Sequence, residues 1–237
     1  MQYSAIVLGA TGNVGGRIVQ LLVGNPRCSR VIAVTRRRTG AFVDPKVTEL
    51  AVHMDRMEAE LASHVHGVDV ALAAFGVGRG SAKMSDEEVR RIEVEYPAAF
   101  CRAARAGGAR VGAVMTAAGA DPKARSRYLR IIGEKEEAAR AAGFDILGLY
   151  RPGVILGNSN TPGYLGTLMP LVHWALPSRF HSIHVHDLAR AMVARSEQAL
   201  RALGQAAPDA APLVQVLEFR EMAPFFVAGE ASASQGH

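Results

Sequence analysis

One short run of small residues near the start of the chain constrains its fold more than any other feature. The apolar stretch Ala5-Ile6-Val7-Leu8 stops at Gly9 and continues as Ala10-Thr11-Gly12-Asn13-Val14-Gly15. Beyond it, Val14, Ile18, Val19, Leu21 and Leu22 recur on one helical face, closed by Gly24-Asn25-Pro26. A β-branched strand therefore runs through a G-x-x-G-x-x-G loop into a helix. Gly9 permits the tight turn, Gly12 leaves no Cβ in the way of a pyrophosphate, and Gly15 lets the helix lie close to the strand. The helix N-terminus then offers N–H groups and the positive end of its dipole to phosphate. A glycine triplet alone reads equally as a structural turn. Between a strand and a helix, it predicts a dinucleotide cradle formed by Gly9, Thr11, Gly12, Asn13, Val14 and Gly15.

The same alternation continues. Strands are expected at Val31–Val34, Val47–Met54, Val68–Phe75, Val111–Met115 and Asp145–Tyr150. Helices are expected from Ser85 to about Ala106, where Ser85 and Glu88 have capping-box spacing, from about Ala124 to Ala142, and from Asp187 to Leu200. Leu213–Phe219 reads as an edge strand. Apolar strands alternating with amphipathic helices predict an α/β fold, a Rossmann-type doubly wound parallel sheet with helices on both faces. Residues 1–220 are expected to form one such domain and 221–237 a C-terminal tail. Substrate-side loops are expected mainly from 157–182, where Gly, Pro, Ser and Asn accumulate; Tyr164, His173, Trp174 and Phe180 are candidates for a substrate wall, against the favoured reading of the aromatics as the loop's own mini-core.

The tip of the second strand bears on which dinucleotide is held. An NAD site usually places a carboxylate about 20 residues after the glycine loop, for the ribose 2′-hydroxyl. This chain has Thr35-Arg36-Arg37-Arg38 instead, and no carboxylate between Gly9 and Asp44. Arg36 and Arg37 offer planar forks to a 2′-phosphate, so NADP is expected over NAD, against the bland reading of a solvated basic turn. Asp55 is placed to reach the adenine edge or, equally, to cap a helix. Ala74, Phe75 and Gly76, at the tip of the fourth strand, should line the middle of the cofactor.

Composition narrows the partners. There are 27 Lys+Arg against 22 Asp+Glu, a net charge of +5 spread along 237 residues. That excess suits an anionic ligand, but no aromatic-basic stripe points to nucleic acid. No apolar run approaches a membrane span and no basic-then-apolar leader opens the sequence. The two cysteines, Cys28 and Cys101, lack metal-type spacing and read as buried free thiols, from which a cytoplasmic location is expected. His184 and His186 would share one face of a strand, but no third ligand accompanies them, so no metal is expected. Asp187 reads as the N-cap of its helix.

Several segments together resemble the short-chain dehydrogenase/reductase superfamily, and more closely its atypical NmrA-like branch, the Tat-interacting-protein type of NAD(P)H-binding protein. They are Gly9–Gly15, Ala118-Gly-Ala-Asp121, Tyr128 with Gly133-Glu134, Arg151-Pro-Gly-Val154 and Ile183-His-Val-His-Asp-Leu-Ala189. The resemblance implies hydride transfer to or from a small carbonyl or alcohol substrate. Tyr128 would be the general acid/base, Thr116 would orient the substrate oxygen, and Pro152, Gly153 and Val154 would face the nicotinamide ribose. It also implies a lysine four residues after the tyrosine, a cation that lowers the phenol's pKa. That slot holds Ile132. The nearest lysine, Lys135, is seven residues on, about 10 Å along the helix. The departure opens a second reading, a non-catalytic NADP(H)-binding regulator or redox sensor. By analogy with the superfamily, the long helices would suit a homodimer.

Overall fold

The computed structural model describes residues 2–157, 177–205 and 211–226. Its centre is a seven-stranded, wholly parallel sheet in the order β3-β2-β1-β4-β5-β6-β9. The strands are β1 (Tyr3–Leu8), β2 (Cys28–Thr35), β3 (Val47–Ala51), β4 (Val70–Ala73), β5 (Val111–Met115), β6 (Ile146–Tyr150) and β9 (Leu213–Leu217). Two short strands, β7 (Ile155–Leu156) and β8 (Ile183–His184), pair separately. The doubly wound α/β architecture read from the sequence is the one observed. Strand order reverses between β1 and β4, and ligands of such sheets bind beyond the strand C-termini at that switch point.

Alternate residues of each strand feed two separate cores. Ala5, Val7, Ala33 and Leu72 face α1 (Asn13–Val23) and α6 (Val185–Leu203), packing with Ile18, Leu22, Leu188 and Met192. Ile6, Leu8, Ile32 and Ala73 face the other way, toward Met57 and Leu61 of α2 (Met57–Ala62) and Phe100 and Ala104 of α4 (Tyr96–Ala106). Both cores are built from buried apolar side chains on opposite faces of the sheet, which accounts for the unbroken apolar strands.

Several boundaries differ from expectation for local reasons. The third strand stops at Ala51, because Met54–Arg56 forms a tight helical turn. The expected helix from Ser85 is two helices, α3 (Asp86–Arg90) and α4, joined through a π-turn at Arg91–Glu95. Its start is as expected: Ser85 Oγ accepts from the Glu88 N–H and the Glu88 carboxylate accepts from the Ser85 N–H. The helix expected from Ala124 begins at Arg127, since the Ala124 N–H closes a turn onto the Asp121 carbonyl; this is α5 (Arg127–Ala141). The last expected strand ends at Leu217, and a short helix, α7 (Phe219–Met222), follows with Met222 fully buried. Ordered structure thus continues past residue 220, where the tail was expected to begin.

Candidate functional site

The glycine loop closes on itself. Gly9 has φ +82°, the Gly12 N–H donates to the Gly9 carbonyl at 2.9 Å, and the Gly16 N–H donates to the Gly12 carbonyl at 2.8 Å. The three motif glycines are not equivalent. A Cβ on Gly9 would lie 2.3 Å from the Ala74 carbonyl oxygen, and one on Gly15 would lie 2.0 Å from the Gly9 carbonyl oxygen. Both are shape requirements of the β1–α1 junction itself. A Cβ on Gly12 would meet only the Gly9 oxygen, at 3.2 Å. Gly12 is the N-cap of α1 and, as a glycine, supplies no side-chain acceptor to that end. An approaching anion there meets backbone N–H donors and no carboxylate in the helix's first turn.

Two adjoining cavities extend from this loop across the strand tips. The smaller, about 180 Å³, is bounded by Gly9, Thr11, Gly12, Thr35, Ala74 and Phe75, among others. The larger, about 460 Å³, is bounded by Val77, Met84, Glu88, Arg91, Ile92 and Tyr96. Arg36, Met54, Phe75 and Gly76 line both, so the two form one cleft. Arg36, Ala74, Phe75 and Gly76 are therefore brought together with the glycine loop. Arg37 is exposed and outside the lining of either cavity, and Val14 is buried in the core beneath. Asp55 caps nothing: His53 precedes its turn as N-cap, and the Asp55 carboxylate accepts from the Tyr96 hydroxyl at 2.6 Å. That bond fixes Tyr96 as one wall of the larger cavity.

Beyond β5 and β6 the geometry departs from the resemblance. Thr116 is only 7% exposed. Its Oγ1 lies 3.0 Å from Glu136 Oε1 and 3.1 Å from the Tyr150 carbonyl oxygen, so its one proton serves inward acceptors. Glu136 is also gripped by Arg151, with Nε and Nη2 each 2.7 Å from a carboxylate oxygen. The expected presentation of Thr116 to a substrate oxygen is corrected accordingly: it belongs to a buried polar knot. Tyr128 opens the first turn of α5 half-buried, and burial raises its phenol above the ordinary tyrosine value, with the Glu93 carboxylate adding to the rise. Ile132 is 1% exposed. Lys135 is buried too, with Nζ 2.8 Å from the Phe75 carbonyl oxygen and 3.1 Å from Glu93 Oε2. Sequence reasoning set Lys135 aside as too distant and did not single out Glu93, Glu136 or Arg151 as a pairing residue.

Pro152, Gly153 and Val154 tie the exit of β6 to the segment before α6. The Pro152 carbonyl accepts from the Ala118 N–H, and the Val154 carbonyl accepts from the Ile183 N–H, each at 2.9 Å. Gly153 is required because a Cβ would meet the His181 carbonyl oxygen at 2.5 Å. None of the three lines the cleft described above. Most of the expected substrate loop, with Tyr164, His173 and Trp174, lies outside the described residues. His184 and His186 do not share a strand face, because α6 begins at Val185. His184, not Asp187, is the N-cap, its ring nitrogen accepting from the His186 N–H. Among the described residues no helix is long and apolar enough to cross a membrane.

No family model matches the chain. It is similar to a curated Aspergillus niger protein named "Protein fmp52, mitochondrial", 33% identical over 155 residues, spanning 64% of this chain and 66% of that one. The Candida albicans protein of the same name is 30% identical over 165 residues, 69% of this chain and 72% of the relative. The match thus spans just under two thirds of the Aspergillus niger protein's length. Among solved structures, a short chain dehydrogenase from Burkholderia cenocepacia in complex with NADP superposes with a TM-score of 0.61 at 15% identity, covering 99% of this chain and 96% of the other. The enzyme WbmH from Bordetella bronchiseptica, in complex with NAD+, superposes at 0.62 and 16% identity, covering 92% and 86%. These likenesses are likenesses of fold. The mitochondrial designation of the curated relatives overturns the cytoplasmic expectation. That expectation rested on Cys28 and Cys101, and both are buried, with burial raising the Cys28 thiol and pushing Cys101 up to about 12. Such thiols are inert, so their being unpaired does not identify a compartment.

Proposed function

As a member of the Fmp52 family, whose names record no reaction, the chain has to be read from its own cleft, and we propose that it binds NADP(H) there. The carrying observation is the junction at Gly12: a helix N-terminus whose cap residue carries no side chain, no carboxylate in its first turn, and a Cβ position whose only close neighbour is the Gly9 oxygen at 3.2 Å. Thr11 and Asn13 would flank the diphosphate. Phe75 and Gly76 would line the passage to the larger cavity, which would take the adenosine half. Asp55 would act there through Tyr96. Arg36, on the lining of both cavities, supports a 2′-phosphate and hence NADP over NAD.

Arg36→Ala is expected to weaken NADPH binding about 10- to 100-fold, the range for removing a charge-assisted bond, and to leave NADH binding nearly unchanged. Titrating both nucleotides into the variant checks this. An equal fall for the two would remove the NADP preference.

The bound nucleotide would supply a hydride at its nicotinamide. Toward that chemistry the chain offers Tyr128, a phenol that holds its proton firmly, with Ile132 where a cation would stand and Thr116 engaged in the buried knot. We therefore favour a nucleotide-binding protein without turnover by the tyrosine–lysine route. The second reading, reduction of a small carbonyl compound with Tyr128 as acid alone, has the phenol in the protonated form that reduction needs, although burial makes it a weak donor. NADPH oxidation assayed over aldehydes, ketones and quinones separates the two readings. Within the superfamily we propose the NmrA-like branch, a reading supported by the Gly9–Gly15 and Arg151–Val154 segments.

A further inference from the structure

Under the cleft lies an ion pair with no evident part in catalysis. Lys135 and Glu93 side chains are each 2% exposed and meet at 3.1 Å. Lys135 comes from α5, and Glu93 comes from the π-turn between α3 and α4, a bulge of the kind that recurs at functional sites. Both reach the same three residues. Lys135 Nζ donates to the Phe75 carbonyl at 2.8 Å, and the Val77 N–H donates to Glu93 Oε1 at 2.8 Å. Between them, Gly76 packs so closely that a Cβ would stand 2.7 Å from both carboxylate oxygens.

An ion pair in this position is an expensive way to hold a fold. Desolvating two charges consumes most of their attraction, and an apolar pair of similar size is often as stable or more so. What an apolar pair cannot do is bond a backbone carbonyl and a backbone N–H two residues apart. The segment so held is the exit of β4. It runs against the glycine loop, where Ala74 closes on Gly9, and it separates the two halves of the cleft.

We propose that Lys135 and Glu93 are positioning residues that clamp the Phe75–Val77 backbone, and that through this loop they set the affinity for the adenosine half of the dinucleotide. The inference rests on the nucleotide-binding reading above. The clamp itself can be read without nucleotide, from hydrogen exchange at the Val77 amide.

The test compares the full-length chain with Lys135→Met, Glu93→Gln and the double variant Glu93→Leu/Lys135→Met. Three readouts are needed: thermal melting, NADPH titration and exchange at Val77. Lys135→Met strands a buried carboxylate and is expected to lose both stability and affinity. In the double variant, melting is expected to return close to the parent value, while NADPH affinity stays about tenfold or more down and Val77 exchanges about tenfold or more faster. Glu93→Gln keeps an acceptor for the Val77 N–H, and its affinity is expected to fall least. A double variant that recovers affinity along with stability overturns the proposal, as does fast Val77 exchange with unchanged affinity. If the double variant fails to fold, slow Val77 exchange and full affinity in Lys135→Met overturn it. A parent chain that binds no NADPH refutes the nucleotide reading, while Val77 exchange still decides whether the loop is clamped.

Discussion

Gly15→Ala is expected to destabilise the protein by about 3 kcal/mol, and Gly12→Ala to leave it folded while weakening NADPH binding at least about 100-fold. The two substitutions add the same methyl group, three residues apart in one loop. At Gly15 the new carbon would stand 2.0 Å from the Gly9 carbonyl oxygen and 2.6 Å from its carbon. Those atoms are backbone, held by the β1–α1 turn and by the sheet, so nothing flexible can yield. Helix α1 would have to move off the sheet and disturb the contacts of Val14, Ile18 and Leu22. Against a typical stability of about 5–15 kcal/mol, that loss is large. At Gly12 the only close neighbour is that same Gly9 oxygen, but at 3.2 Å, so the overlap is a few tenths of an ångström and a small adjustment at position 12 itself relieves it without moving the turn. The methyl would then occupy the space beside the helix N-terminus where a diphosphate would sit. Gly16→Ala is the internal control. Its Cβ would lie 3.5 Å from the Ala10 carbonyl oxygen, an ordinary contact, and alanine gains about 0.5–1 kcal/mol over glycine inside a helix. Urea melts and NADPH titrations of the three variants check the set. Tight binding by folded Gly12→Ala would refute the cradle, and an unchanged melt for Gly15→Ala would refute the packing argument.

These outcomes separate what was legible in the sequence from what was not. The β1–α1 junction could be read because its chemistry is local: strand, turn, helix cap and glycine spacing lie within a few residues of one another. Arg36 could be read for the same reason, one step past the end of β2. The Lys135–Glu93 pair could not. Lys135 stands in Glu134-Lys135-Glu136-Glu137, which looks like a solvated helix face, yet Lys135 and Glu136 are both buried. Glu93 faces inward in a run of charged residues only because the π-turn shifts the helical phase there, and no residue type announces such a turn. Thr116 was matched by position on its strand, but its hydroxyl direction depends on Glu136, which α5 brings from 20 residues away. Asp187 was a reasonable cap by composition. The helix starts two residues earlier because His184 supplies the acceptor. For Lys135, Glu93 and Thr116 the deciding neighbour is distant in sequence or is set by a local distortion, and single-sequence patterns carry neither; at His184 the partner is local, but histidine is not among the residues favoured as caps.

The largest gain of function is expected from Ile132→Lys. In the parent chain the Tyr128 phenol is held protonated by burial and by the nearby Glu93 carboxylate. Lys135, a buried cation close to that carboxylate, is already bonded to it and to the Phe75 carbonyl. A lysine at position 132 would stand one helical turn from Tyr128 on the same face. Its charge favours the phenolate, so the Tyr128 pKa falls toward the working pH. A proton transferred by a group of matched pKa is worth about 10²- to 10⁴-fold in rate. NADPH oxidation with a responsive carbonyl substrate is therefore expected to rise by about 100-fold over the parent background, with the rate falling at high pH as the phenol loses the proton it has to donate. Burying the ammonium opposes this, because Ile132 is 1% exposed and apolar on its own side chain. Ile132→Met is the control for packing, and it should fold, bind NADPH and stay at background. If Ile132→Lys folds, binds nucleotide as the parent does and is equally inactive, Tyr128 is not a latent acid/base. The missing lysine would then have no bearing on the chemistry of this chain.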